Sequence, residues 1–366
     1  MKEEERKERT QKKVTRKDIA DLAGVSVSVV SRALNNSGYV KKEVKEKILK
    51  IAKEMDYVPN PVAMSLQQRR TKQILFYCKD IHNAFYIDLY HGMIREARQR
   101  DYMVLLNGNL NFQRLRETMI DGIILQSEGL AVEFNRICGK NYYLPAVVAG
   151  YGSRLHMDRS IPVVEWDLYQ GMEIAIAYLM KNGHKKIAYA GPNISEYTDA
   201  RETAWFSMMQ PYLEKSIDDY YLGIGYQEFR DYENFTEYEA DFKAVQAEKN
   251  EAFFEEGIIA AGLLLKRKLD ATAVICFNDE FAFGMFQELR RSRVKIPDDI
   301  SLISFDGCYR RRYVYPELTC ITGNPEYQGE ILAKTLIDQI EGKPIHYMTT
   351  LPSKLLEGGT VRKLNG

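Results

Sequence analysis

The sequence predicts a small all-α unit at the N-terminus, followed by a larger α/β body of two similar lobes, each a parallel sheet flanked by helices. Three observations carry this. A chain of 366 residues is longer than one compact core usually holds. Apolar residues keep a three-and-four helical spacing as far as Met55, and beyond Lys72 the pattern becomes strands alternating with helices. Charge divides at the same place: residues 1–72 carry 18 basic and 10 acidic side chains, residues 73–366 carry 33 and 41. The formal net charge of zero is therefore a cancellation, and a basic head with an acidic body leaves an anionic partner open for the head.

Residues 1–13 alternate in charge without an apolar period and form a charged tail. The all-α unit, 14–58, holds three short helices. Thr15 is a good N-cap for the first, whose apolar face is Ile19, Ala20, Leu22 and Ala23; Gly24 then turns the chain. Ser26 caps the second, with Val29, Val30, Ala33 and Leu34 apolar. The third places Val44, Ile48, Ile51, Ala52 and Met55 on one stripe. Pro59 and Pro61 break the helical pattern and open a linker, 59–72.

Strands follow at QILFYC, YMVLLN, DGIILQ and AVVAG, with a helix at AFYIDLYHGMIREARQRD and a short one at FQRLRETM. A second series runs from helix LYQGMEIAIAYLMKNG through strand KKIAYAG, helices ARETAWFSMMQPYLEK and GIIAAGLLLKR, strand ATAVICF and helix EFAFGMFQELRRSR to strand SLISF. Such alternation means βαβ units and parallel sheets covered on both faces. Residues 223–250, rich in Tyr, Phe, Asp and Glu, read as a surface loop. No repeat with shared spacing relates the lobes.

Two short helices joined at a steep angle can lay the second in a major groove. Arg32 on that helix could bind guanine O6 and N7 bidentately, while Thr15 and Ser26 could hold phosphates. On spacing alone, a small bundle with solvated charges remains the alternative.

The runs DIADLAGVSVSVVSRALNNSGYV and YVPNPVAMSL resemble the head and hinge of the lactose-repressor/galactose-repressor (LacI/GalR) transcription factors, and the resemblance extends over the whole chain from Val14. It implies a helix-turn-helix head and an α/β effector domain of two periplasmic-binding-protein-like lobes, 73–165 with 324–352 and 166–323 with 353–366. It further implies major-groove contacts at Val27, Ser28 and Arg32, and phosphate contacts at Thr15, Ser26, Ser31, Asn35 and Tyr39. Within 59–72 it implies a hinge helix that sets Leu66, with Ala63 beside it, as an apolar wedge in the minor groove. Val29 stands where the family usually has Thr, and Met64 where it usually has Arg.

In the body, the resemblance places Phe85, Tyr86, Arg201, Asn278 and Asp306 around an effector held between the lobes. An Arg, an Asp, an Asn and aromatic faces suit a hydroxyl-rich ring, so a sugar or sugar derivative is implied. The local alternatives are an Arg201 paired on its helix, a capping Asp306, and packing or turn roles for Phe85, Tyr86 and Asn278. The partners implied are palindromic double-stranded operator DNA and a second copy of the chain. The chain ends at Gly366 without a leucine heptad tail, which argues against a coiled-coil tetramer.

Chemistry points away from an enzyme. The five histidines have no HExxH or HxH spacing, and there is no GxSxG elbow, P-loop or complete GxGxxG, so neither a catalytic site nor a metal or other cofactor is expected. Five widely spaced cysteines within apolar runs read as buried free thiols of a reducing compartment. The N-terminus lacks the apolar core of a secretory signal and no run could span a bilayer, so a cytoplasmic protein is expected. The reading is thus an effector-controlled repressor of a carbohydrate-utilisation operon. Its alternatives are a regulator answering to a phosphocarrier protein or purine corepressor, and a sugar-binding transport protein sharing the lobes.

Overall fold

The computed structural model describes residues 14–58, 70–109, 111–139, 144–152, 161–192, 199–213, 217–224 and 253–364. The chain divides into two compact units between Thr71 and Lys72. The linker residues Ala63 and Leu66, the tail 1–13 and most of the 223–250 stretch lie outside the described residues.

The smaller unit is three helices, α1 (Arg16–Ala23), α2 (Val27–Leu34) and α3 (Lys42–Glu54). Thr15 starts α1 through a capping box: its hydroxyl accepts the Asp18 amide, and the Asp18 carboxylate accepts the Thr15 amide at 2.7 Å. Gly24 at φ 70° ends α1 in the left-handed region. Ile19, Ala20, Ala23, Val30, Ala33, Ile48 and Ala52 form the core. Leu22, assigned to the apolar face of α1, is instead 60% exposed. With Ile19, Ala20 and Ala23 already facing α2 and α3, the i+3 position from Ile19 turns outward on so short a helix.

The larger unit holds two six-stranded sheets. The first takes β1 (Gln73–Tyr77), β2 (Met103–Asn107), β3 (Gly122–Leu125), β4 (Ala146–Gly150), β5 (Val163–Trp166) and β11 (Met348–Leu351), in the order β11-β5-β4-β3-β1-β2. The second takes β6 (Ile187–Pro192), β7 (Tyr221–Ile224), β8 (Ala273–Cys276), β9 (Ser301–Phe305), β10 (Thr319–Thr322) and β12 (Lys354–Leu356), in the order β12-β10-β9-β8-β6-β7. Every pairing is parallel except β10 with β12, an edge on which the returning chain runs back. Helices α4 (Ala84–Gln99), α5 (Glu128–Cys138) and α10 (Pro325–Ile340) accompany the first sheet. Helices α6 (Leu168–Lys181), α7 (Ala200–Met209), α8 (Phe253–Lys266) and α9 (Asp279–Arg291) accompany the second.

Several elements differ from the sequence reading. The helix expected over ARETAWFSMMQPYLEK ends at Met209 and tightens to a 3-10 turn at Gln210–Tyr212, because Pro211 cannot donate to a continuing ladder. Gly223 and Ile224, read as loop, close the edge strand β7. The short helix expected over FQRLRETM is present as a 3-10 helix, Phe112–Glu117. All five cysteines are free, four of them buried and Cys138 half-buried. Among the described residues no helix is long and apolar enough to cross a membrane.

Candidate functional site

In the smaller unit, the second helix turns a polar face to solvent. Ser26, Val27, Ser28, Arg32 and Tyr39 are exposed, Tyr39 by 83%, while Ser31 and Asn35 are half-buried. Ser26 occupies the N-cap position of α2, but its hydroxyl bonds Ser28 Oγ at 2.9 Å and not a helix amide. The leading amides of α2 are thus not taken by that side chain, which leaves donors for an anion at the positive end of the helix. Arg32 Nε donates to the Ser28 carbonyl at 3.3 Å, and Arg16 Nη1 donates to Ser31 Oγ at 3.1 Å. Arg16, not marked by the sequence pattern as a DNA contact, reaches this helix through that bond.

In the larger unit, the groups that matter gather at the C-terminal ends of the parallel strands, where open α/β sheets bind ligands at the point where strand order reverses. In the second sheet that point lies between β6 and β8, and Arg201 spans it. Its guanidinium donates from Nε and Nη2 to the two carboxylate oxygens of Asp199, each at 2.8 Å, and from Nη1 to the Phe277 carbonyl just past β8 at 2.7 Å. The cation lies over the Phe277 ring at 3.5 Å and within 5.9 Å of Phe305. Burial works against its charge, yet the Asp199 carboxylate holds the guanidinium more firmly protonated than usual. Among the described residues, these bonds take three of its five N–H donors.

Asp306 follows β9 with φ 94°, a left-handed conformation unusual for a side-chain-bearing residue. Gly307, at φ 69°, continues the turn, where a Cβ would fall 2.8 Å from Thr322 Cβ. The Asp306 carboxyl is buried, and dehydration together with nearby Asp279 raises it well above the usual carboxylate range. Asp279 accepts from Ser304 Oγ, the Cys308 amide at 2.8 Å and Cys320 Sγ; burial still pushes it up to about 6. Asn278 caps α9, its Oδ1 accepting the Phe281 amide at 2.9 Å.

On the first lobe, the Asn83 side chain caps α4 and fixes Phe85 and Tyr86 in its first turn. Both rings are buried, and they meet edge to face with centroids 5.4 Å apart. Phe85 lies 5.9 Å from Tyr151 and 6.2 Å from Trp166, and Trp166 lies 6.0 Å from Phe305 of the other lobe. A continuous aromatic path therefore joins the lobes, and Trp166 Nε1 is buried in it without a hydrogen-bond partner among the described residues. Arg201 and Asp306 meet on one lobe, Phe85 and Tyr86 on the other, with Trp166 and Phe305 between them.

Sequence reasoning passes over Asp199, Tyr151, Trp166, Phe277 and Phe305. Each of the last four stands at or one residue past the end of a parallel strand, and that position is the signal that could have found them. Asp88, His91 and Glu326 also bring donor atoms within 4.8 Å of one another. Two helices far apart in the chain supply them, so no local spacing reveals the group, and Glu326 is ion-paired with Arg95.

Comparison with known proteins agrees with this division. Residues 15–60 match the bacterial regulatory proteins of the lacI family. Residues 71–221 match the periplasmic binding proteins and sugar binding domain of that family, and 176–361 match a periplasmic binding protein-like domain. The HTH-type transcriptional repressor PurR of Vibrio parahaemolyticus is 27% identical over 360 residues, covering 96% of this chain and 99% of its own. Among solved structures, a lac repressor dimer bound to operator and the anti-inducer ONPF superposes with a TM-score of 0.71 at 19% identity, covering 96% of this chain and all of that one. A LacI family regulator from Enterococcus faecium with bound ribose superposes with a TM-score of 0.64 at 21% identity, covering 80% of this chain and all of that one. From residue 15 onward, head and lobes alike, the chain belongs to the LacI family of bacterial regulatory proteins.

Proposed function

We propose that this regulator represses a carbohydrate-utilisation operon and that a sugar-like effector, bound in the crevice between the lobes, sets its affinity for operator DNA. The observation that carries the reading is Arg201: buried, anchored by Asp199 and Phe277, with two N–H donors not taken up among the described residues, on the same lobe as Asp306. Buried donors without partners are costly, and a ring hydroxyl would give these two an acceptor. The aromatic faces of Phe85, Tyr86 and Trp166 suit the apolar face of such a ring. Effector binding would change the angle between the lobes and with it the order of the hinge around Ala63 and Leu66.

On DNA, Val27, Ser28 and Arg32 would read the major groove, while Thr15, Ser26, Ser31, Asn35 and Tyr39 hold phosphates and Leu66 wedges the minor groove. A palindromic operator requires two such heads, hence a homodimer, the state of the lac repressor on its operator. The aromatic path, whose faces would also stack on a flat heterocycle, favours a purine corepressor as the second reading. Melting the protein with D-ribose, D-glucose, cellobiose, hypoxanthine and guanine, then measuring operator binding with each compound that stabilises it, separates the readings. A sugar that stabilises the protein and changes operator affinity supports the first; a purine that does so supports the second. Stabilisation with unchanged operator affinity would overturn the gating.

A further inference from the structure

The crevice carries a charge pattern that narrows the effector further than its hydrogen-bonding groups do. Arg201 is the cation best placed to grip a ligand, and both carboxylate oxygens of Asp199 are already on it. Arg310, beyond β9, pairs with Glu280 at 3.1 Å. Lys79, two residues past β1, pairs with Glu133 at 3.4 Å. All three of these strand-end cations are therefore matched to a carboxylate.

Several carboxyls lie close to these pairs. Asp306 is buried near Asp279, whose carboxylate already accepts from Ser304 Oγ, the Cys308 amide and Cys320 Sγ, and burial raises both carboxyls above the usual range. Glu280, already paired with Arg310, is held up by burial and also feels Asp80 from the other lobe. A phosphate or carboxylate brought into this space would have to displace an existing ion pair or lie without a cation of its own, in a site too dry to screen it. Hydroxyl groups meet neither obstacle, since they accept from the remaining Arg201 N–H groups and can donate to or accept from the carboxyls.

We propose that the crevice selects an uncharged, hydroxyl-bearing effector and rejects its phosphorylated or carboxylated counterpart. This rests on reading the crevice as the effector site. The specificity element is the pairing of Arg201 by Asp199 and of Arg310 by Glu280, which removes the anchors an anion would need.

Calorimetric titration of the full-length protein with matched pairs tests it: D-ribose against D-ribose 5-phosphate, and D-glucose against D-glucose 6-phosphate and D-gluconate. The uncharged member of a binding pair is expected to bind at least about tenfold more tightly, a difference of about 1.4 kcal/mol. A phosphorylated or carboxylated sugar binding as tightly as its neutral partner, with the crevice otherwise occupied by sugar, overturns this proposal alone. No binding by any of these compounds, neutral or charged, overturns the sugar reading and this proposal together. The variant Glu280→Gln, which releases Arg310, should raise affinity for the phosphorylated sugar by about tenfold while the neutral sugar changes far less. Equal changes for both would sink the electrostatic cause.

Discussion

Gly257 and Gly284 face each other where α8 crosses α9, and neither position has room for a side chain. A Cβ on Gly257 would fall 2.0 Å from the Phe281 carbonyl oxygen, and one on Gly284 would fall 1.9 Å from that of Phe254. The first lobe repeats the arrangement. There a Cβ on Gly92 would meet the Glu326 oxygen at 1.8 Å and one on Gly329 the Leu89 oxygen at 2.0 Å. The two lobes thus share a backbone-to-backbone helix crossing.

Gly284→Ala should therefore destabilise the effector body by about 1–3 kcal/mol or more, because the opposing atoms are backbone and two whole helices must separate. Gly129 is the control. It too is helical, but an added Cβ would meet only Ser127 Oγ, at 3.8 Å. Gly129→Ala should be neutral or stabilising by up to about 1 kcal/mol through the unfolded chain. Urea unfolding of both variants decides it; equal losses would contradict the crossing geometry.

Removing the Arg201 side chain acts on stability and recognition together, and the two can be separated. Arg201→Ala leaves the half-buried Asp199 carboxylate without its cation, which should cost about 3 kcal/mol, the low end for breaking a buried pair. Combining Arg201→Met with Asp199→Asn removes both charges, and Asn can still cap α7 as Asp199 does through the Arg201 amide. The double variant should recover most of the lost stability, yet it should respond to no sugar. A double variant as unstable as Arg201→Ala would mean that the ion pair is not the source of the loss.

The same pair marks how far the sequence could be read. Arg201 stood out because its surroundings resemble a known motif. Asp199 did not, because an Asp two residues before a helical Arg reads as an ordinary cap. It is a cap, and its second oxygen then turns back onto the guanidinium. Strands such as ILFY and AVIC were legible because both faces are buried and the runs are continuously apolar. Strand β7 was not, since YLGI is short, lies at a sheet edge and contains a glycine. The crossing glycines escaped notice for a different reason. A glycine inside a helical run signals weak propensity, and only the partner helix shows why it is there.

The buried carboxyls Asp279 and Asp306 make stability depend on pH in a definite direction. A carboxyl raised in the fold costs nothing where both states are protonated, below its ordinary range near 4, and opposes folding increasingly as pH climbs through its folded value. For Asp279 that window runs from about 4 up to about 6, and Asp306 extends it upward. His184 works oppositely: burial holds its pKa down, so the fold loses stability as pH falls below about 6.5. The absolute profile mixes these contributions, whereas the difference between a variant and the parent isolates one. Asp306→Asn tolerates the left-handed backbone and removes one charge of the pair. Its stability relative to the parent should rise as pH goes from about 4.5 to about 7.5. A difference that stays flat over that range would show that the pair carries no unrelieved charge.

The head makes the sharpest prediction about DNA. Arg32 is exposed, and its Nε donates a long hydrogen bond to the Ser28 carbonyl, one turn back on the same helix. Packing of its stem against the position of Gly38, where a Cβ would approach Arg32 Cδ to 3.3 Å, orients the side chain without burying it. An arginine held this way loses little to ordering on binding and can reach guanine with two N–H groups. Arg32→Ala should weaken operator binding by about 1–3 kcal/mol and relax preference at one base pair, while binding to unrelated DNA falls by much less. Because the side chain supports no core contact, the head should melt within about 0.5 kcal/mol of the parent. Fluorescence anisotropy on operator and scrambled duplexes at one fixed salt concentration measures both affinities. Parallel losses on the two duplexes would reassign Arg32 from base reading to phosphate holding.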